Sequence, residues 1–401
     1  MPKHSHSSSS SSSSNHKKHK IDSICSDCSS SSSSDKNYLD SNCKEYFNKN
    51  NLIHSNDITE LNANDYLELR KTKFAKLDIF ELKKDEEDCI VINSGDNTIK
   101  INQSLIQSKN ITISKYIANG CYGVIFVSSV EDDDIRYVIK FIKNNPNNEN
   151  EIKTMIDIKQ NNNTHIPNFI NIAYYHLNCN RITHQDTGNK ILTGIKNCLK
   201  TDKYSMIVLE YFDGTIFDLI NSNFPLFSPI KNFTDEKIEL FNSIFAQLII
   251  TIFLFHNKFE YYHNDTHLKN FLYKKVNNDN KYFHYKIRDK DYYIKNCGYV
   301  IVLSDYGLSK KINEHYTNKD KKNKLKDYED ILNKICLYKN KIITGDINQF
   351  THYKDMSNKK NKTDFSSFDE FDFLNYMMTT ILNIKTTQIV DMTLINDIPY
   401  H

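Results

Sequence analysis

Tryptophan is missing altogether from this chain. So are a secretory signal, an uninterrupted apolar run of membrane length, an evident internal repeat and any regular cysteine spacing. The nine cysteines are irregularly placed. That excludes a small disulfide scaffold, and they read as free thiols in a reducing compartment. The most apolar stretch, 235–256, is interrupted by Asn242, Ser243, Gln247 and Thr251. A span needs about 20 largely apolar residues, so the stretch reads as a buried helix. A formal charge of +2 leaves the class of partner open. What is abundant is asparagine, lysine, isoleucine and tyrosine, a bias expected of an AT-rich genome. The 401 residues are enough for one catalytic domain with additions.

Composition divides the chain. Residues 1–45 are serine runs with scattered histidines, too poor in apolar groups to offset the entropy of ordering, and read as a disordered tail. Its basic patch, His16 to Lys20, reads as solubilising. Cys25 and Cys28 form a single C-x-x-C, and structural zinc needs four ligands, so no metal is expected there. Residues 46–103 are globular in composition but carry no motif. Helix-like spacing over 67–82 and a strand at 89–92 suggest an extension packed on the β-rich region after it. Strands are predicted at 111–116, 124–130, 137–142 and 206–209. A loop is expected over 144–150, then a helix from Glu151 to Ile158. Residues 188–203 read as an insertion. Further on, 277–297 reads as a polar, tyrosine-rich insertion, 299–303 as a strand and 310–326 as a short lysine-rich stretch. Helices are expected at 327–337, with Asp330 a candidate structural acid, and at 364–382.

The chemistry concentrates in four places. His263-Asn264-Asp265-Thr266-His267-Leu268-Lys269-Asn270 sets a carboxylate and a carboxamide five residues apart. Ser304-Asp305-Tyr306-Gly307 adds a second carboxylate after an apolar run. Phosphoryl transfer needs one acid to orient the attacking hydroxyl and two oxygen ligands for the metal on the phosphates. Asp265, Asn270 and Asp305 are the right types in the right order. Upstream, Gly120 and Gly123 lie in a β-rich run where a backbone can approach phosphate closely. Then Tyr137-Val138-Ile139-Lys140-Phe141 buries one lysine in an apolar strand, which is costly without a counter-ion. Glu149 or Glu151 is available to supply it.

Taken together and in this order, the four pieces resemble the protein kinase family over roughly residues 110 to 340. The resemblance implies an α+β, two-lobed fold, with a small β-rich lobe holding one main helix (104–208) and a larger, mainly helical lobe (209–401). It implies ATP and Mg²⁺ as cofactors and a protein as substrate, with no membrane or nucleic-acid partner. Ala118, Asn119, Gly120, Cys121, Tyr122, Gly123, Val124 and Ile125 would cover the phosphates. Lys140 would pair with Glu151, and the backbone around Glu210 and Phe212 would hold adenine. Asp265 would be the catalytic base, and Asn270 and Asp305 the metal ligands. His263 would be a scaffold bonding the backbone near Asp305.

The departures narrow the reading. Ala118 stands where the first glycine of the loop usually lies. Asn264 replaces the arginine that clamps a phosphorylated activation loop, which argues against that switch. His267 takes the place of the usual lysine, as in haspin-like kinases and several kinases of large DNA viruses, and would donate to the transferring phosphoryl group. No Ala-Pro-Glu follows Asp305. With the compositional bias, this suggests a giant-virus serine/threonine-protein kinase, in a host cytoplasm or a virion. Two other functions remain open: a small-molecule phosphotransferase of the choline or aminoglycoside type, and a catalytically weak scaffold.

Overall fold

The computed structural model describes residues 62–71, 90–92, 98–101, 110–120, 123–130, 136–162, 166–179, 182–184, 195, 197–199, 204–224, 233–279, 281–313, 315, 317–342, 348–357, 365–387 and 394–400. The serine tail with its basic patch, Cys25 and Cys28 lie outside these, as do Cys121 and Tyr122.

The fold is mixed α/β. A short helix, α1 (Ala63–Leu69), comes first. Eight strands then build one sheet: β1 (Ile90–Ile92), β2 (Thr98–Ile101), β3 (Asn110–Gly120), β4 (Gly123–Val130), β5 (Arg136–Lys143), β6 (Ile172–Cys179), β7 (Ile182–His184) and β8 (Tyr204–Glu210). Their order is β6-β8-β5-β4-β3-β2-β1-β7, antiparallel except at β1–β7. Strands β1 and β2 therefore continue the sheet that the motif-bearing strands begin. In β5, Tyr137, Ile139, Lys140, Phe141 and Ile142 are all buried, so this central strand is covered on both faces. Gly120 pairs with Gly123 where β3 meets β4. A Cβ on Gly123 would lie 2.3 Å from the Phe141 carbonyl oxygen. That glycine is required by close strand packing before any ligand is considered.

Between β5 and β6 runs α2 (Pro146–Asn161). The asparagine-rich 144–150 reads as a loop by composition, yet the helix starts inside it. Asn145 caps it by accepting from the Asn148 amide, and Pro146 takes the first helical position, where its missing N–H costs nothing.

Beyond β8, the α-helices and strands among the described residues are β9 (Gly214–Thr215), α3 (Ile216–Asn223), α4 (Asp235–Asn257), β10 (Tyr261–Tyr262), β11 (Phe271–Lys275), β12 (Tyr282–Ile287), β13 (Lys290–Lys295), β14 (Tyr299–Leu303), β15 (Lys310–Lys311), α5 (Asn318–Asp327), α6 (Glu329–Ile342), α7 (Asn348–Ser357), α8 (Glu370–Tyr376) and β16 (Leu394–Tyr400). The core centres on α4. This helix is 23 residues long and its most apolar window has a mean hydropathy of 1.9, so it does reach the length and apolarity of a membrane span, contrary to the expectation from sequence; 78% of that window is buried against the protein. It is a core helix.

Two stretches read only by composition acquire structure, and one expectation about cysteine changes. Residues 277–297 hold the β12–β13 hairpin, which buries Phe283, Tyr285, Ile287, Tyr292, Tyr293 and Ile294 and is joined by β16 in parallel. The alternation of aromatic or aliphatic with polar residues over 282–287 is the strand period, hidden by the polar overall composition. The lysine-rich 310–326 contains β15 and most of α5, capped by Thr317. Cys198 is disulfide-bonded, whereas Cys297 and Cys336 are free thiols.

Candidate active site

Two loops carry the carboxylates, and two short ladders hold them side by side. The first loop joins β10 to β11, and the second joins β14 to β15. Strand β11 pairs with β14 (Phe271 opposite Leu303) and β10 pairs with β15 (Tyr262 opposite Lys310). Both ends of both loops are thus pinned to each other. Cross-links fill the interval. The Ser304 amide and hydroxyl both donate to the Asn270 carbonyl at 2.9 Å. His263 Nε2 lies 3.0 Å from the Ser304 carbonyl. Burial lowers the His263 pKa, so the ring is neutral and donates from Nε2. Asn264 Nδ2 donates to the Leu308 carbonyl at 3.1 Å.

Within this frame Asp265 and Asn270 touch. Asn270 Nδ2 donates to the Asp265 carbonyl at 2.8 Å and to its Oδ2 at 3.2 Å. The Asp265 side chain stays 35% exposed, open to a reactant. His267 Nε2 is 3.6 Å from Asp265 Oδ2. Asp305 and Asn264 have left-handed backbones, with φ of 62° and 64°. For residues other than glycine this costs on the order of 1–3 kcal/mol each and concentrates at functional sites.

Lys140 joins from the sheet. It is buried on β5, and its Nζ lies 2.7 and 2.9 Å from the Glu151 carboxylate oxygens on α2. Burial works against its charge, but Glu151 and then Asp305 outweigh it and raise its pKa. Lys140, Glu151 and Asp305 are therefore one electrostatic cluster. Asn150, the neighbour of Glu151, lies within 2.9–3.3 Å of the carbonyls of Tyr306, Gly307 and Ser309 and ties α2 to the Asp305 loop. Tyr306 is fully buried and stacks on Phe255 of α4, with ring centroids 5.5 Å apart.

Of the loop residues expected to cover phosphates, Ala118, Asn119 and Gly120 lie at the end of β3, and Gly123, Val124 and Ile125 begin β4. The Glu210 side chain is committed elsewhere, to Tyr66 and Arg70, so only its main chain faces the question of a ligand. Phe212 is buried.

The structural acid is Asp327, not Asp330. Asp330 is exposed, whereas Asp327, ending α5, accepts from the His263 and Asn264 amides at 2.7 and 2.9 Å. Its backbone carbonyl also takes the Thr266 hydroxyl at 2.5 Å. The helix ends here, with Tyr328 as the single turn residue between α5 and α6. His256 of α4 holds it from behind at 3.0 Å, with Glu370 on the other ring nitrogen at 2.5 Å. Burial disfavours a charged His256, but Glu370 and Asp327 outweigh it and raise its pKa to about 9. Glu370, despite burial, is held at about 2 by His256 and Lys324. Asn150, His256, Asp327 and Glu370 carried no sequence signal of their own, because each acts through partners 40 or more residues away.

Among the described residues, no three His, Cys, Asp or Glu side chains gather as a metal cage. Asp305 and Asn270 suit a hard ion that takes its other ligands from phosphate and water, as magnesium does. Asn270 uses its Nδ2 on Asp265, which leaves its side-chain oxygen as the donor for a cation. A separate cavity of about 320 Å³ opens by the first turn of α4, among Asp235, Glu239, Tyr293, Lys295 and Lys385, and shares no residue with this cluster.

No protein-family model matches the chain, and no curated protein does. Among solved structures, the BubR1 kinase domain is similar at 16% identity and a TM-score of 0.37, over 64% of this chain and 62% of that domain. The chain thus spans less than two thirds of that domain's length. A likeness at that score carries no inference about the site.

Proposed function

We propose that the chain is an ATP-dependent protein kinase, with the two-lobed kinase-like fold, transferring the γ-phosphate to serine or threonine hydroxyls. One observation carries this reading. A buried Lys140–Glu151 pair from the sheet and α2 stands beside Asp305, while Asp265 and Asn270 are stitched to the same loop. A structural ion pair alone would need no neighbouring Asp305, and a scaffold would need no exposed carboxylate held by a carboxamide.

Each side chain then has a task. Asp265 accepts a hydrogen bond from the acceptor hydroxyl and aims it at the phosphate, which is mainly positioning. Asn270 fixes the Asp265 carboxylate through Nδ2. Lys140, kept charged by Glu151, is a preorganised donor for phosphate oxygens. His267, beside Asp265, is placed to donate to the transferring group. Magnesium, held through Asp305 and Asn270, supplies charge neutralisation on the phosphates.

The test is transfer of label from Mg-ATP by the purified full chain, to itself or to a generic basic protein. Labelling should disappear in Lys140→Met and Asp265→Asn. Labelling of choline or an aminoglycoside but of no protein would favour the small-molecule enzyme. Binding of ATP without turnover would favour the scaffold.

A further inference from the structure

Arg70 is a buried cation that the catalytic reading leaves without a task. It lies just past α1, 6% exposed. Its Nε and Nη2 are both 3.0 Å from Glu210 Oε2. Its Nη1 donates to the Pro167 carbonyl, and its Nη2 to that of Phe169 at 2.6 Å. Tyr66, from the same helix, donates to the other Glu210 oxygen. Asn171 Nδ2 donates to Glu210 Oε2 at 3.2 Å. The planar fork of one arginine thus binds the last residue of β8 and two carbonyls of the 166–171 loop, partners 97 to 140 residues away.

That loop in turn holds the strand leading to Asp305. The Leu303 amide donates to the Asn168 carbonyl at 2.8 Å, and the Ile170 amide to the Leu303 carbonyl at 3.3 Å. Asn168 Nδ2 donates to the Ile301 carbonyl at 3.0 Å, and Tyr285 donates to Asn168 Oδ1 at 2.9 Å. The Glu210 amide donates to the Asn171 carbonyl at 3.2 Å. Arg70 therefore stands where the end of β8, the 166–171 loop and β14 meet.

We propose that Arg70 is a positioning residue and that α1 is an intramolecular brace for the nucleotide site. The guanidinium fixes the backbone of 210–212, which would receive adenine, relative to β14, which delivers Asp305. A buried ion pair is weak evidence of stability, because desolvation offsets much of its attraction; what a multidentate pair does supply is one geometry. The effect on nucleotide rests on the kinase reading, while the brace itself does not.

The experiment compares the full chain with Arg70→Met, Arg70→Lys and the double variant Arg70→Met/Glu210→Gln. Hydrogen exchange in Arg70→Met should quicken in peptides covering 166–171, 206–212 and 299–305, while 244–254 in α4 keeps its protection. The KM for ATP should rise about tenfold with kcat held within about threefold, the pattern of lost binding rather than lost chemistry. Arg70→Lys, one donor group without the fork, should fall between. In the double variant thermal stability should return and ATP affinity should not. If Arg70→Met does not fold, Arg70→Lys and the double variant carry the same comparisons. Exchange that quickens uniformly, an unchanged KM in a folded variant, or affinity that returns along with stability would each overturn the proposal. A wild-type chain that binds no nucleotide removes the kinase reading instead, and the exchange pattern then decides the brace alone.

Discussion

Asp265 and Lys140 are the side chains on which activity should depend most steeply. Asp265→Asn keeps shape and hydrogen bonding but loses the acceptor charge, and should lower phosphate transfer by about 10²–10⁴-fold with the melting temperature nearly unchanged. Lys140→Met removes a donor aimed at developing charge and should cost about 10²–10³-fold. Transfer that survives either change would point to a contaminating enzyme. Asp327 has a different role. It holds two loop amides, one buried and one half-buried, and a charged, buried His256. Asp327→Ala should destabilise the fold by about 3–5 kcal/mol, because two loop amides lose their acceptor and His256 keeps only one of its two carboxylates. Chemical denaturation measures that directly, and a loss under about 1 kcal/mol would contradict this network.

Among the elements, α2 and the two ladders decide whether the site is assembled. The α2 helix brings Glu151 to Lys140 and, one residue earlier, Asn150 to the loop after Asp305. Nothing in the helical period marks Asn150, so its function was not legible; the carbonyls it meets belong to residues more than 150 positions away. The Asn264 side chain already holds the loop after Asp305 through the Leu308 carbonyl, and its amide is held by Asp327. On the kinase reading proposed above, these two bonds would stand in for an arginine–phosphate clamp. Phosphatase treatment should leave the rate of transfer unchanged; a severalfold loss would show that a phosphorylated loop is needed after all.

At the level of the whole molecule, pH should report the His256–Asp327–Glu370 network. The folded-state pKa of His256 is raised from 6.5 to about 9. Its contribution is then fully present below pH 6.5 and is lost as pH rises through about 9. Glu370 is depressed from 4.5 to about 2, so its contribution is present above 4.5 and lost as pH falls through about 2. Melting temperatures should decline between pH 6.5 and 10, and His256→Gln should flatten that decline while lowering stability throughout. A wild-type melting curve that is flat over this range would mean that His256 is neutral in the folded chain.

Read by itself, the sequence determined the local chemistry. Glycines at 120 and 123, a lysine within an apolar strand, a carboxylate and carboxamide five apart, and an aspartate after a strand are all short-range patterns, and the strands and the long helix around them follow from hydrophobic period and capping. Only the tertiary structure decided which of two acids anchors the loop, that the tyrosine-rich 277–297 is a packed hairpin, and that a helix near residue 66 reaches the end of β8. The physical reason is range. Propensity and periodicity act over a few residues, whereas the burial of Arg70, Asp327 and His256 is set by partners brought together only when the core around α4 closes.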